Sequence, residues 1–397
     1  MQTFTGIQYV KIDIANNMGV TAQYPGGLDK ALWQDRIDWV DDNIESLENM
    51  MYDADEPILF IKAVYALRDC QEGKPSGHLM GLDATASGPQ MLACMTGCHA
   101  TAKLVNLIDT GERSDLYLKM SIQMGLGITR KIIKNPIMVT FYNSKAEPKK
   151  VFGDDTPEYL RFMDTMEKEL LGAMLGMRII NNFWDTTVDA QHWTQLDGMA
   201  CHVKVKTQQK AIIEVEEIGS SFTYVWDEVG ASDNGISLPA NMTQSFDGLV
   251  VREMKARCNY NLIDVRLKHA AMTYELDQRT DTPIVPREPE MICMPHIHDM
   301  KLTDIKLVNT FDLTRMVARL NLMLDKKPFA VVTVHDEFKA HPNNMNEVRY
   351  NYKEIMAEIA ACPALTRVLG SMQECDLFEK LSYDLPQLIR ESEYALS

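Results

Sequence analysis

The chain has 397 residues, of which 46% are apolar and 24% charged, with a formal net charge of −16 and eight cysteines. That is ample for a large core in one or two closely packed subdomains, while the acidic balance argues against a simple nucleic-acid-binding module, whose usual footprint is a basic surface. No apolar run approaches the roughly 20 residues of a membrane helix, the opening Met1-Gln2-Thr3-Phe4-Thr5-Gly6 has no signal-peptide pattern, and the cysteines lack paired spacings, so a soluble cytoplasmic protein with reduced thiols and no membrane contact is expected.

Mainly helix is expected, with short strands at 77–83, 211–216, 222–226 and 329–335 and no internal repeat. The first strand, through Leu79-Met80-Gly81-Leu82, delivers Asp83 to its end, where a carboxylate is held rigidly; taken alone, an Asp there more often merely begins a turn, and it is the order and context of the motifs that change the reading. Cys94, Cys98 and His99 fall on the following apolar helix and are expected in the core. From Ile128 to Tyr142 one helix would align Arg130, Lys134, Met138 and Tyr142, every fourth residue, on a single face. Such a face suits a triphosphate, Arg as a fork and Lys as a compact charge, with the aromatic packing on base or sugar; the plainer alternative is a solvated basic face. Pro136 should kink this helix. Lys131, Lys145, Lys149 and Lys150 extend the positive stretch, and Lys204, Lys206 and Lys210 form another.

Gly153-Asp154-Asp155 is similar to the metal-binding turn of viral RNA-dependent polymerases but lacks flanking strands. It reads as a helix start, with Thr156 as N-cap and Pro157 at the first helical position. One amphipathic helix is expected over 157–185, its stripe made by Phe162, Met163, Met166, Leu170, Leu171, Met174 and Leu175. The prolines around 282–289 forbid regular structure. Cys293, His296 and His298 have a superficial zinc spacing without a fourth ligand and read as an ordinary loop with solvated histidines. The apolar run Phe329-Ala330-Val331-Val332-Thr333-Val334 then leads to His335 and Asp336. Two strand-end carboxylates and a cationic helix are what metal-assisted phosphoryl transfer requires.

Taken in order, these motifs closely resemble those of the single-subunit RNA polymerases of bacteriophages and mitochondria. Asp83, Ala84, Ser87, Gly88 and Gln90 match motif A; Arg130, Lys134 and Tyr142 match motif B, with Asn143 where the family usually has Gly, a residue that tolerates the left-handed turn; His335 and Asp336 match motif C. Arg36-Ile37-Asp38-Trp39-Val40, Asp55-Glu56-Pro57-Ile58-Leu59-Phe60 and Ala102–Leu107 resemble intervening segments, and Glu391–Ser397 resembles the family's carboxy-terminal foot, so the family C-terminus is expected to be present. Asn241, Gln244, Ser245, Asp247 and Gly248 resemble the groove-contacting segment before motif C, with Gln244 in place of His; a competing alignment puts Asn309-Thr310-Phe311-Asp312 there.

The resemblance implies an α+β, mainly helical fold, the palm and fingers of a right hand without its amino-terminal domain and thumb. Its parts would be a helical lead-in at 1–75, palm with motif A at 76–120, fingers at 121–240, the groove-contacting segment at 241–257, an insertion at 258–325, and palm with motif C and foot at 326–397. It further implies DNA-directed RNA synthesis by two-metal transfer of ribonucleoside triphosphates onto an RNA 3′-OH. Asp83, Asp336 and the Ala84 main chain would hold Mg2+; Lys134, Tyr142 and His335 would join the aspartates in catalysis; Arg130, Lys134, Tyr142 and Gly88 would bind nucleotide; Gln244 and Ser87 would contact nucleic acid. The related DNA polymerases carry Glu where Gly88 stands, which blocks the 2′-hydroxyl, so ribose is expected.

With thumb and amino-terminal domain lacking, a partner chain is expected to supply them, as in the split two-subunit RNA polymerase of some podovirus-like phages, placing this protein in a bacterial host's cytoplasm. The promoter hairpin, confined to about 211–240, is short, so start-site choice would fall to that partner, to an accessory DNA-binding protein, or to melted DNA. A related DNA polymerase or primase, and an inactive polymerase-fold binding subunit, are the competing readings.

Overall fold

The computed structural model describes residues 1–125, 127–232, 235 and 237–397; positions 126, 233, 234 and 236, within the 121–240 span, lie outside the described residues. Helices dominate and the strands form small antiparallel sheets, an α+β arrangement. The chain begins with α1 (Gly6–Met18), α2 (Trp33–Asp42) and α3 (Pro57–Gln71). Thr5 fixes the start of α1: its hydroxyl accepts the Gln8 N–H while Gln8 Oε1 accepts the Thr5 N–H at 2.8 Å. These helices share a core around Val10, Ile14, Val40, Phe60 and Leu67.

Strand β1 (Met80–Asp83) is shorter than the run at 77–83 suggests; Met80 and Leu82 are buried and Asp83 points the other way. Helices α4 (Ser87–Thr96) and α5 (His99–Leu104) are separated by Gly97, whose φ of +66° ends α4. Cys94 and Cys98 are buried, as expected. The break turns His99 out of the core, and its Nε2 lies 2.8 Å from Asp384 Oδ1.

Next come α6 (Leu116–Met124), α7 (Arg130–Thr140), α8 (Ala146–Phe152), α9 (Pro157–Glu169) and α10 (Leu171–Asn181). Thr156 caps α9 as its position suggests, its Oγ1 accepting the Tyr159 N–H at 3.2 Å, with Pro157 in the first turn. The single helix expected over 157–185 is two, divided at Leu170, whose ψ of 39° leaves the helical region. The reason is tertiary. Gly172 and Gly176 let α10 lie against α4, since a Cβ on Gly172 would strike Cys98 and one on Gly176 would press on Leu92. Leu171, expected in the buried stripe, is left exposed.

A hairpin that the sequence reading did not anticipate follows, β2 (Ala190–Thr194) and β3 (Ala200–Lys204), then a longer one, β4 (Lys206–Val215) and β5 (Ser220–Val229), extending beyond 211–216 and 222–226. Helix α11 (Ser237–Cys258) returns to the core. Helices α12 (Leu262–Asp277), α13 (Met294–Asp299) and α14 (Thr310–Leu324) pack around Val265, Met272, Ile297, Leu313 and Leu320. The Cys293–His298 stretch is therefore no ordinary loop: Cys293 is buried at the start of α13, and His298 Nδ1 lies 3.3 Å from Asp264 Oδ2.

The last part comprises β6 (Val332–Val334), β7 (Glu337–Ala340), α15 (Met345–Ala361), α16 (Ala364–Gly370) and α17 (Leu385–Glu391). The strand expected over 329–335 contracts to 332–334. The sheet order is β1-β7-β6, with Leu82 opposite Phe338 and Asp83 opposite Glu337. Phe162, Met242, Phe246, Phe338 and Tyr352 join this sheet, α4, α11 and α15 in the main core. Buried Arg349 on α15 donates to Gln2 O, Tyr9 Oη and the Glu393 carboxylate, fastening both chain ends beside the sheet. No helix among the described residues is long and apolar enough to cross a membrane.

Candidate active site

The sheet forms the floor of a cleft of about 980 Å³. Asp83 ends β1. Asp336 sits with His335 in the two-residue turn between β6 and β7, where His335 adopts a left-handed φ of +56°. The Ala84 N–H donates to Asp336 O at 3.3 Å, so the ladder itself sets the two aspartates side by side. Ala84 also bridges to Leu396, and the Ser397 N–H donates to Asp83 O at 3.0 Å, which brings the last residues of the chain to the floor. Gln90 holds them there: its Nε2 donates to Ala395 O at 3.0 Å and its Oε1 accepts the Tyr352 hydroxyl at 2.5 Å.

This floor concentrates negative charge. The carboxyl of Asp83 is pushed up to about 6, first because the cleft walls displace water around it, then because Asp336 and Glu337 face it; Lys30 opposes the shift. Asp247 on α11 is raised to about 7, by burial and then by the field of Asp336, against a hydrogen bond from Ser87. Its Oδ1 is buried without a hydrogen-bond partner. Carboxylates so disposed call for a cation. Hard oxygen donors facing one cleft fit a divalent ion, and no three His, Cys, Asp or Glu side chains among the described residues converge on a common point.

The facing wall is cationic. Thr129 caps α7, its side chain accepting the Ile132 N–H, and the first turn presents Arg130. Arg130 Nε donates to Asp115 Oδ2 at 2.6 Å, and the guanidinium lies 5.5 Å from the Tyr117 ring centre; Lys134 Nζ lies 5.8 Å from the same ring. Lys134 makes no ion pair among the described residues. Lys30 and Arg113 line the same cleft, Arg113 Nε donating to Ser397 Oγ at 3.0 Å. Of the other lysines singled out in the sequence, Lys149 pairs with Asp154 at 2.6 Å and Lys150 with Glu147 at 3.6 Å.

Helix α7 continues through Pro136 but stops at Thr140, so Tyr142 stands in the following turn and not on the helix face expected for it. Asn143 takes the left-handed conformation, φ +56°, as its residue type allows. Tyr142 hydrogen-bonds Gln244 across the cleft, and its hydroxyl is raised by burial and by Asp247 and Asp336. Gly88 lines the cleft, and a Cβ there would meet only Thr243 Cγ2, at 3.7 Å. Ser87 faces Asp247. Gln244 thus lies in the cleft, whereas Asn309 of the competing segment caps α14, its Oδ1 accepting the Asp312 N–H at 2.9 Å.

The family model described as DNA-dependent RNA polymerase matches residues 2–227, more than half of the chain. The chain belongs to the DNA-dependent RNA polymerase family. A probable DNA-directed RNA polymerase of Gelasinospora sp. (strain G114) is 27% identical over a stretch covering 40% of this chain and 25% of that protein. One of Neurospora crassa is 32% identical over 28% of this chain and 13% of that protein. The matched stretches thus span a quarter or less of these relatives. Asp83, Arg130, Lys134 and Tyr142 fall inside the residues matched by the family; Gln244, Asp247, His335 and Asp336 lie beyond them and reach the cleft through the fold.

The structure adds Lys30, Arg113, Asp115 and Tyr117 to the cleft, none of them picked out by the sequence reading, and gives Asp247 a place beside Asp336. Asp115 alone left a trace in the sequence, as N-cap of α6, where its side chain accepts the Leu118 N–H at 3.1 Å.

Proposed function

We propose that this cleft is the nucleotidyl-transfer site of a DNA-directed RNA polymerase, the palm and fingers of its right hand, acting on ribonucleoside triphosphates with a DNA template and an RNA transcript. The observation that carries the reading is the juxtaposition of Asp83, at the end of β1, and Asp336, in the adjoining β6–β7 turn, facing Arg130 and Lys134. The transcript 3′-oxygen would attack the α-phosphorus as the bond to pyrophosphate breaks and the hydroxyl proton passes to solvent. Arg130 and Lys134 would hold the triphosphate by charge-assisted hydrogen bonds, Arg130 exchanging Asp115 for phosphate. Asp83 and Asp336, with the Ala84 main chain, would hold Mg2+, and a divalent ion bound there supplies the positive charge that offsets their repulsion and stabilises the attacking and leaving oxygens.

Gly88 leaves room for a 2′-hydroxyl, and Tyr142, tethered to Gln244, would test the sugar. His335 would meet the transcript end, with Gln244 and Ser87 toward the primer-template. A net charge of −16 gives little nonspecific hold on nucleic acid, which supports a second polypeptide that supplies the thumb and amino-terminal elements, as in a phage enzyme of two chains. Copurification followed by primer extension tests the proposal: ribonucleotide addition stronger than deoxyribonucleotide addition supports it. A preference for deoxyribonucleotides would make the protein a DNA polymerase, and no synthesis with any copurifying chain would leave a binding subunit.

A further inference from the structure

We propose that His192 and His202 form a two-imidazole site for a transition-metal ion of the Zn2+ class, separate from the carboxylate cleft. The two residues face each other directly across the β2–β3 ladder, which puts both side chains on one face of the hairpin. Their ring centres are 4.4 Å apart, and the two Nδ1 atoms 3.2 Å. Two nitrogens bound tetrahedrally at the usual zinc–imidazole distance stand about 3.3 Å apart, so the pair already has the bite of a chelate.

Both histidines are exposed, so an ion can reach them without desolvating the core, and water can complete its coordination. The same face carries Ala190, Lys204, Thr194 and Ala200, and neither strand has an acidic residue. A site of neutral nitrogens beside a lysine suits imidazole-seeking ions and not Mg2+, the reverse of the Asp83–Asp336 floor.

The opposite face gives the ion something to stiffen. Trp193 and Gln191 are buried beneath it. Trp193 Nε1 donates to Ser245 Oγ at 3.1 Å and Gln195 Nε2 to the same oxygen at 2.9 Å, so the hairpin grips α11 next to Gln244 and Asp247. An ion joining the two strands would hold that grip in register.

The test is calorimetric titration of the full chain with Zn2+, after chelator treatment and in excess Mg2+ to occupy the carboxylates. The parent, His192→Ala and His202→Ala are compared. The expected result is one equivalent bound by the parent, at least tenfold weaker binding in each variant, a Zn2+-dependent rise in Tm in the parent alone, and equal Tm values without Zn2+. Co2+ in place of Zn2+ should give a spectrum without thiolate charge-transfer absorption. Identical isotherms in parent and variants, thiolate bands from the half-buried Cys70, Cys201 or Cys375, or no binding by the parent would each overturn the proposal.

Discussion

The floor and the wall of the cleft are built on opposite principles. On the floor, a backbone ladder forces Asp83, Asp336 and Glu337 together, and their charges are unbalanced: Asp83 is raised to about 6 and Asp247 to about 7. On the wall, Arg130 already has a carboxylate partner in Asp115 and an aromatic neighbour in Tyr117, borne on a helix side chain that can change partners. The difference teaches where function resides. Rigid, mutually repelling carboxylates suit a cation, whereas a long, paired cation such as Arg130 can release one anion and take another.

The largest effect should come from the floor. Asp83→Asn keeps volume but removes a charge, and we expect ribonucleotide addition to fall by about a thousandfold, with folding and partner binding retained, as measured by single-turnover extension and copurification. On the wall, Lys134→Ala and Arg130→Ala should each cost about 10–100-fold in kcat/KM for the incoming triphosphate, through loss of charge-assisted contacts. Unchanged nucleotide kinetics would assign that helix face to solvent.

Sugar choice should move less. Tyr142→Phe removes the hydroxyl that meets Gln244 while keeping the ring, and discrimination against deoxyribonucleotides should relax about tenfold or less in competition assays. A preference equal to the parent's would remove Tyr142 from sugar testing.

The smallest effect is on stability. Asp83 and Asp247 have folded-state values above their ordinary carboxylate value of 3.8, so the folded chain binds more protons than the unfolded one. Without divalent ions, their contribution to stability is full at the acid end and is lost as pH rises from about 4 to about 7. Asp247→Asn should therefore raise Tm by a few degrees at pH 8 and leave it unchanged near pH 3.5, read by thermal melts at both values. An Asn variant that melts lower at pH 8 would show that the Ser87 contact outweighs the repulsion.

The sequence discloses those parts of the cleft whose chemistry dictates residue type at a fixed spacing: Asp83 with its small neighbours, Arg130 and Lys134 a helical turn apart, and His335-Asp336 after an apolar run. Lys30 and Arg113 are hidden because single charges acquire their meaning only when distant segments converge, and Asp247, legible as part of the groove-contacting segment, shows its place beside Asp336 only in the fold. The division of α9 from α10 was hidden for a similar reason, since Gly172 and Gly176 matter only against α4. The β2–β3 hairpin does leave a signal, Asp197-Gly198 between two apolar-alternating runs, with Gly198 at φ +79°, though a weaker one than the strand-end aspartates and the cationic helix.

Asp336 offers the most direct test, because it lies outside the residues matched by the family model and owes its place in the cleft to the β6–β7 turn and its bond to Ala84. Ribonucleotide addition to a primed DNA template, measured as Mg2+ is titrated, should rise and saturate for the parent and stay at least a hundredfold lower for Asp336→Asn at every concentration. Saturation of the variant at the parental rate would contradict the assignment of the floor as the site of nucleotidyl transfer.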